Sequence, residues 1–210
     1  MPPSPDQRSE PEPDLSELVE KTKGVQPWRR VFHAAGGVLI VLVLTFSSME
    51  DSLVWIILGT GLALSAIIDA VRLYDPDLNR RFFRVFVALA SPREARELAS
   101  STWYLLGVLL TLLLFPRAYA LAGILVLALA DPAASVIGRV WGRTPFLGGS
   151  VRGTIAFGSV AFLVLLLFVP WWAALATAVA TALMEASSLD VDDNLVVPIT
   201  VAGVLFLIGA

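Results

Sequence analysis

The stretch ADPAASVIGRVWGR, residues 130–143, ends an apolar run with a carboxylate, a hydroxyl and two arginines. If one helix continues through it, its polar side chains recur every four residues and form a ridge, with a ridge of small residues beside it. The polar ridge comprises Asp131, Ser135, Arg139 and Arg143, and the small ridge comprises Ala130, Ala134, Gly138 and Gly142. Small residues at this spacing let membrane helices approach closely. The stretch therefore predicts a helix-packing face next to a candidate anion site.

The rest of the chain is apolar enough to lie in a bilayer. Hydrophobic residues make up 57% of its 210 residues, and its mean hydropathy is +0.77, whereas soluble domains are about 45–50% apolar. A membrane-spanning helix needs about 20 residues. The apolar segments lie at 34–49, 52–69, 102–115, 118–137, 154–169, 171–186 and 194–209. We therefore predict an all-α, polytopic membrane helical bundle with about seven transmembrane helices.

The distribution of charge predicts the orientation of this bundle. In the seven-span arrangement, all of the 15 lysines and arginines except Arg117 fall on the amino-terminal side. The positive-inside rule then places the amino terminus in the cytosol and the carboxyl terminus outside. Residues 1–27 are rich in Pro, Asp, Glu and Ser, and predict a disordered, acidic cytosolic tail, because so few apolar residues cannot repay the entropy of ordering. We expect a multi-pass protein of the plasma membrane of a prokaryote.

Metal chemistry is restricted by the residue types present. The chain has no cysteine and one histidine, so thiolate sites are excluded and zinc lacks its usual ligands. Mg²⁺ prefers oxygen ligands and suits the carboxylates better. Asp131 and Glu185 lie within the apolar pattern, where a carboxylate costs about 2.5–3.5 kcal/mol, and with Asp193 they are the candidate ligands. The alternatives are a structural ion pair for Asp131 and a solvated helix cap at 192–194.

A basic, glycine-rich loop follows the opening stretch. Arginine presents a planar fork of donors that suits phosphate oxygens. We expect Thr154 to cap the following helix, whose amino-terminal end favours an anion. The candidate nucleotide-binding residues are Gly138, Arg139, Gly142, Arg143, Gly149, Ser150, Arg152, Gly153 and Thr154. The alternative is a topogenic loop that contacts anionic lipid head groups.

Further candidates lie where the tail enters the first span. Arg30 and His33 stand there, and His33 is a candidate catalytic residue, although a histidine at this position is commonly only interfacial. Asp69 and Arg72 are either functional or a local salt bridge, and Glu94 and Glu97 are likewise either functional or members of local salt bridges.

Five segments, in this order, resemble the motifs of the dolichol kinase, phytol kinase and CTP-dependent diacylglycerol kinase family, which is related to the phosphatidate cytidylyltransferases. They are WRRVFHAAGG at 28–37, REARELASSTWYLLG at 93–107, ADPAASVIGRVWGR at 130–143, GSVRGTIAF at 149–157 and EASSLDVDDNLVVPI at 185–199. Outside the two central motifs, the matching positions are Arg30, His33, Glu97, Glu185, Asp193, Asn194 and Pro198. The resemblance implies that residues 28–210 form a transmembrane catalytic domain, which uses CTP and Mg²⁺ to phosphorylate a lipid alcohol at the cytosolic face.

The function predicted on this basis is a CTP-dependent lipid kinase acting on a polyprenol such as dolichol, on phytol or on diacylglycerol. Its partners would be the membrane lipid and the nucleotide, with no nucleic acid; the sequence leaves the oligomeric state open. The family loop typically reads Lys-Lys-Ser-x-Glu-Gly, whereas residues 148–153 read GGSVRG. Two alternatives remain: a phosphatidate cytidylyltransferase that makes a CDP-lipid, and a transporter or degenerate relative that only binds a lipid or nucleotide.

Overall fold

The computed structural model describes residues 13–24, 26–187 and 191–210. Within these residues the chain forms nine α-helices, one 3-10 turn and one short β-hairpin. The helices are α1 (Leu15–Lys21), α2 (Pro27–Phe46), α3 (Asp51–Tyr74), α4 (Pro76–Phe86), α5 (Ser100–Leu114), α6 (Arg117–Trp141), α7 (Val151–Leu165), α8 (Trp171–Ala186) and α9 (Asp193–Ile208). The 3-10 turn is Pro92–Ala95, and the hairpin pairs β1 (Pro145–Phe146) with β2 (Gly149–Ser150).

The predicted all-α class is confirmed. Seven apolar helices, α2, α3 and α5 to α9, coincide with the seven predicted segments. Among the described helices, α2, α3 and α6 are long and apolar enough to cross a membrane. The other four have 15 or 16 residues, which at 1.5 Å per residue reach about 24 Å of an apolar layer about 30 Å thick. The number of spans and the orientation stay predictions.

Several helices extend further at their polar ends than the apolar segments suggested. α2 begins at Pro27, α3 ends at Tyr74 and α6 ends at Trp141. Hydropathy marks the edge of the apolar layer, but a helix continues until a residue stops it. Pro27 is suited to the first helical position, and Gly142 is the C-cap of α6. The prediction that one helix runs through most of residues 130–143 is therefore confirmed.

Helix α6 is the centre of the bundle. It packs against α2, α5, α7 and α9, whereas α3 packs mainly on α5, and α8 on α7 and α9. Ala122, Ile124, Leu127 and Ala130 of α6 are fully buried. The small side chains among them let the neighbouring helices approach, as membrane packing requires. The polar end of α6 consequently lies between the starts of α2 and α9.

Two glycines bring α9 close to α5 and α6. Pro198 lies inside α9 and has no N–H, so the carbonyl of Asn194, four residues earlier, loses its helical partner. That carbonyl lies against Gly107 of α5, where a side chain would collide with it. On the other side, a Cβ at Gly123 of α6 would stand 2.5 Å from the carbonyl oxygen of Pro198. These contacts fix the start of α9.

The described part of the predicted disordered tail, residues 13–24, differs from the prediction. It contains α1, and Asp14 caps this helix by accepting a hydrogen bond from the backbone N–H of Leu15 at 2.7 Å. Leu18 is 4% exposed and packs with Phe83 of α4. Apolar residues at helical spacing gave α1 a face to bury, which the overall composition of the tail concealed. Residues 1–12 and 25 lie outside the described residues.

A buried ion pair connects α3 to the segment before α5. Arg72 Nε donates to Asp69 Oδ1 at 2.7 Å, and each side chain is 2% exposed. The other carboxylate oxygen of Asp69 accepts from the backbone N–H of Ala99 at 2.9 Å. Arg72 also donates to the backbone oxygens of Glu94 and Glu97, at 2.6 and 2.8 Å. This pair is the local salt bridge that the sequence allowed. It fixes α3 to the segment before α5.

Candidate functional site

A cavity of about 610 Å³ opens at the end of the bundle where α2 and α9 begin and α6 ends. Its wall is formed by these helices, by residues 91–93, and by residues 22–24 and 26 before α2. Its ionisable side chains are Lys23, Arg29, Arg30, His33, Arg93, Asp131, Arg139, Asp192 and Asp193. The cavity is therefore strongly polar, although the bundle around it is apolar.

Two arginines reach the cavity from facing helices. Arg30 Nη2 donates to Ser135 Oγ at 2.6 Å, and Arg139 Nη1 donates to the backbone oxygen of Gly24 at 2.6 Å. Arg30 Nε is buried and has no hydrogen-bond partner among the described residues. A guanidinium has five N–H donors, so both side chains keep donors for an anionic ligand.

Two further arginines of the cavity wall, Arg29 and Arg93, are held by acidic residues. Arg29 Nη2 donates to Ser100 Oγ at 2.6 Å and lies 3.8 Å from Glu94 Oε1. Ser100 also donates to Glu94 at 2.8 Å, and Glu94 is buried. Arg93 forms an ion pair with Asp192, whose carboxylate is also buried. The roles of Arg29 and Arg93 were not predicted, because their partners are far away in the chain and no local spacing indicates them.

Asp131 and His33 meet at the cavity. His33 Nε2 lies 4.0 Å from Asp131 Oδ2, and the Asp131 side chain is 31% exposed. His33 Nε2 is buried without a hydrogen-bond partner in the described part of the chain. The imidazole packs edge-on against Tyr104 of α5, with the ring centroids 4.9 Å apart. Asp131, His33 and Arg30, which the sequence offered as separate candidates, thus line one cavity.

The start of α9 supplies the opposite wall. Asp192 is the N-cap of this helix, and its Oδ1 accepts from the backbone N–H and the side-chain amide of Asn194, at 3.0 and 2.6 Å. The alternative of a solvated helix cap is therefore correct in part: Asp192 caps the helix, but it is buried. Asp193 and Asn194 both line the cavity, so Asp193 faces the same space as Asp131.

The glycines of the opening stretch pack α6 against α7 and do not line the cavity. A Cβ on Gly138 would stand 3.1 Å from Ser150 Oγ, and one on Gly142 would stand 2.5 Å from it. Gly153 of α7 lies in the same contact, where a Cβ would stand 3.4 Å from the Cα of Gly138. The predicted packing face is confirmed, and the expected phosphate contacts of these glycines stay a prediction.

The expected cap of α7 is wrong. Ser150 is the N-cap, and its Oγ accepts from the backbone N–H of Gly153 at 3.1 Å. Because α7 already begins at the residue after Ser150, Thr154 lies in the first turn and its hydroxyl donates to the backbone oxygen of Ser150 at 3.2 Å. Arg152 donates to the backbone oxygen of Trp141 at 2.8 Å. It thereby places a cation at the carboxyl end of α6, where the helix dipole favours one.

Other candidate residues lie outside the cavity wall: Glu97, Arg143, Gly149, Arg152 and Glu185. Glu97 is exposed, and the acid that reaches the site from this segment is Glu94. Glu185 is partly buried in the last turn of α8. The structure brings Asp193, and not Glu185, to the cavity beside Asp131.

The carboxylates of the cavity suit a Mg²⁺ ion that is coordinated partly by the protein and partly by a bound ligand. In residues 13–24, 26–187 and 191–210, no group of three or more His, Asp or Glu side chains forms a complete metal site. Mg²⁺ commonly takes one or two carboxylates and completes its shell with waters and substrate phosphates. Asp131 and Asp193 supply two carboxylates to one space, which matches this mode.

Three curated proteins similar to the chain are each named CTP-dependent diacylglycerol kinase 1. The protein of Eremothecium gossypii is 30% identical over 131 residues, which cover 61% of this chain and 41% of that protein. That of Schizosaccharomyces pombe is 28% identical over 161 residues, covering 67% and 74%. That of Saccharomyces cerevisiae is 29% identical over 131 residues, covering 61% and 45%.

The chain therefore spans less than half the length of two of these relatives and about three quarters of the third. No protein-family model matches the chain. No solved structure matches it either. The three relatives are fungal, so they give no support to the prediction of a prokaryotic plasma membrane. They confirm the resemblance carried by the five motifs: the chain is similar to the family of CTP-dependent diacylglycerol kinases.

Proposed function

We propose that the chain is a CTP-dependent lipid kinase that phosphorylates diacylglycerol at the cytosolic face of a membrane, with residues 28–210 as its catalytic domain. The observation that supports this most is the cavity at one end of an apolar bundle, where arginines face Asp131 and Asp193. A triphosphate needs cations, and a lipid acceptor needs a bilayer beside the site. The names of the three fungal relatives supply the nucleotide and the lipid class.

The cavity suits a nucleoside triphosphate in volume and in charge. Its volume of about 610 Å³ lies within the range of about 300–1,000 Å³ that is usual for small-molecule sites. Arg30 and Arg139 stand on facing helices with unused donors, so a phosphate chain between them would contact both. Lys23 and Arg29 line the same space. Charge-assisted bonds of this kind are among the strongest hydrogen bonds in proteins.

Asp193 would hold Mg²⁺ together with the phosphates of the nucleotide, which leaves Asp131, at the same cavity, free to act on the lipid hydroxyl. The cation would neutralise negative charge on the β and γ phosphates, as it does in other phosphoryl transfers. Asn194 keeps its side-chain oxygen at the same wall, because its amide nitrogen is the group bonded to Asp192.

The hydroxyl of the lipid would enter beside Asp131, with its chains still in the bilayer. Its oxygen attacks the γ-phosphorus, the bond from that phosphorus to the β–γ bridging oxygen breaks, and CDP leaves. Asp131 accepts the hydroxyl proton, and His33, 4.0 Å away, orients the acceptor and the carboxylate. Catalysis of this kind relies mainly on positioning and on charge neutralisation.

The test is transfer from CTP labelled separately at the α and γ positions, with purified protein, Mg²⁺ and dioleoylglycerol. Phytol, a polyprenol and phosphatidate serve as competing acceptors. We expect γ label in the dioleoylphosphatidate formed from dioleoylglycerol, and no labelled product from phosphatidate supplied as the acceptor. Label from the α position on phosphatidate would show a cytidylyltransferase instead. Binding of CTP without movement of either label would show a degenerate relative.

A further inference from the structure

A second cavity, of about 360 Å³, lies between α7 and α8 on the outer surface of the bundle. Its floor consists of small residues, Gly158, Ala178 and Ala182. Its walls are large apolar side chains, among them Ile155 and Val179, which are 62% and 51% exposed. The cavity is thus an apolar groove that is open to the surrounding bilayer.

The shape of this groove suits a lipid chain. It runs from Thr154 to Phe162 on α7 and from Leu183 to Leu175 on α8, so it follows the helix axes. Eight residues of helix correspond to about 12 Å, and one leaflet of the hydrocarbon layer is about 15 Å thick, half of the full layer. An extended acyl chain of one leaflet therefore matches the groove in direction and length.

Positive charge lies at one end of the groove and at no point along it. Arg152 stands in the first turn of α7, two residues before Thr154, and Arg143 is exposed in the loop before β1. Neither has a carboxylate within ion-pair distance in the part of the chain that the structure describes. Residues 155–184 contain no charged side chain. The amino-terminal end of α7 adds further partial positive charge at the same end.

We propose that this groove binds one acyl chain of an anionic glycerophospholipid whose phosphate lies beside Arg152 and Arg143. The site is distinct from the charged cavity and does not depend on CTP or on transfer. It also accounts for the two arginines of the glycine-rich loop that the cavity wall does not use. In this respect the loop contacts lipid head groups, in agreement with the alternative that the sequence left open.

Filling the groove is the first test. A Cβ at Gly158 would stand 3.5 Å from the Cβ of Ala182, an ordinary contact, and leucine favours helix more than glycine does. Gly158→Leu should therefore fold and occupy the groove. The matched control is Gly59→Leu on α3, where a Cβ meets nothing within 4 Å. Native mass spectrometry with dioleoylphosphatidylglycerol should show one retained lipid on the wild type and the control, and at least tenfold weaker binding to Gly158→Leu.

Removing the charges is the second test. Arg152→Gln and Arg143→Gln should each lower the affinity for dioleoylphosphatidylglycerol about fivefold, the effect of one basic residue at an anionic head group. Affinity for dioleoylphosphatidylcholine should not change. Arg81→Gln, on α4, is the control. The proposal is overturned if Arg152→Gln weakens CTP binding but leaves the lipid preference intact, since the arginine then serves the nucleotide.

The third test locates the lipid directly. A phosphatidylglycerol with a diazirine in its acyl chain is crosslinked by light, and the labelled peptides are identified. Label should concentrate on residues 155–162 and 175–183 and should be displaced by excess dioleoylphosphatidylglycerol. Label spread evenly over α2 and α3, without displacement, would mean that only bulk lipid surrounds the helices and would contradict the proposal. None of these three measurements requires kinase activity.

Discussion

Asp69 and Asp131 are both carboxylates on long apolar helices, yet the protein satisfies them differently. Asp69 accepts bonds from Arg72, from the backbone of Ala99 and from the Thr102 hydroxyl, and its side chain is 2% exposed. The side chain of Asp131 is 31% exposed to the cavity, with the histidine nitrogen 4.0 Å away. A carboxylate whose acceptor sites are filled by the protein holds the fold together. One whose oxygens stay open is available to a ligand.

Of these two carboxylates, Asp131 should show the larger effect on activity. Asp131→Asn should lower transfer from CTP to dioleoylglycerol by about 10²–10⁴-fold, the loss expected when a positioned proton acceptor is removed. Thermal unfolding in detergent should stay close to that of the wild type, because few bonds are lost. Transfer within threefold of the wild type would remove Asp131 from the proposed site.

The buried ion pair of Asp69 with Arg72 should affect the stability of the fold instead. Arg72→Met should lower the free energy of unfolding by about 3–5 kcal/mol, because Asp69 then stays buried without its cation. Circular dichroism during denaturation in detergent measures this loss. Adding Asp69→Asn to Arg72→Met should recover part of it, since coupled neighbours are not additive. Full stability of the single variant would mean that the buried pair does not hold α3 to the segment before α5.

The arginines of the cavity should show the next effect. Arg139→Gln and Arg30→Gln should each weaken CTP binding about tenfold or more, because each removes a charge-assisted hydrogen bond to phosphate. Equilibrium binding at two salt concentrations tests this, and the salt dependence should decrease in both variants. Arg81→Gln provides the control. Unchanged binding in both cavity variants would place the triphosphate elsewhere.

Glu94 and Glu97 offer a matched pair with a smaller effect. Glu94 is buried beside Arg29, whereas Glu97 is exposed. Glu94→Gln should weaken CTP binding a few-fold by loosening Arg29, and Glu97→Gln should not. In an Arg29→Gln background, Glu94→Gln should have no further effect on CTP binding, which separates positioning from general damage to the fold. Equal losses from both glutamate variants would contradict the positioning role.

The smallest effect is expected far from the cavity. Arg117 lies 2.6 Å from Asp51 in a pair that is largely open to solvent. Such pairs contribute about 0–1 kcal/mol, so Arg117→Gln should unfold almost like the wild type. Denaturation in detergent checks this, and a loss of several kcal/mol would show that exposure is a poor guide to the strength of ion pairs in this protein.

The seven apolar helices could be predicted because each of them is a continuous apolar run. Hydropathy indicated each of these seven helices. It did not indicate α1, since a short helix in a polar segment has too few apolar residues to stand out. Leu18 is buried only because α4 offers Phe83 to it, and no local pattern contains that information. Helix ends were also misplaced, because a polar residue ends the apolar layer without ending the helix.

The site could be predicted in part. Asp131 was recognised because a charged group in an apolar run is costly, Arg139 because it continues the polar ridge of α6, and Arg30 because it matches the first motif of the family. All three line the cavity. Thr154 was misassigned because Ser150, four residues earlier, is an equally good cap. The bond between Arg29 and Ser100 joins helices that are distant in the chain, so only the folded structure reveals it. The sequence can indicate which residues belong to a site, but it does not determine which residues they bond to in the folded protein.

The close fit of α9 has a consequence for assembly. α9 follows the other described helices in the chain and carries no charged side chain after Asp193. Within lipid, apolar surface alone does not draw a helix out of the bilayer into a bundle, so association depends on fit. Gly107 and Gly123 provide that fit. Gly123 contacts Pro198 and does not line the cavity, yet a methyl group on it would displace the helix that carries Asp193 there. The docking of α9 is therefore what completes the wall of the cavity.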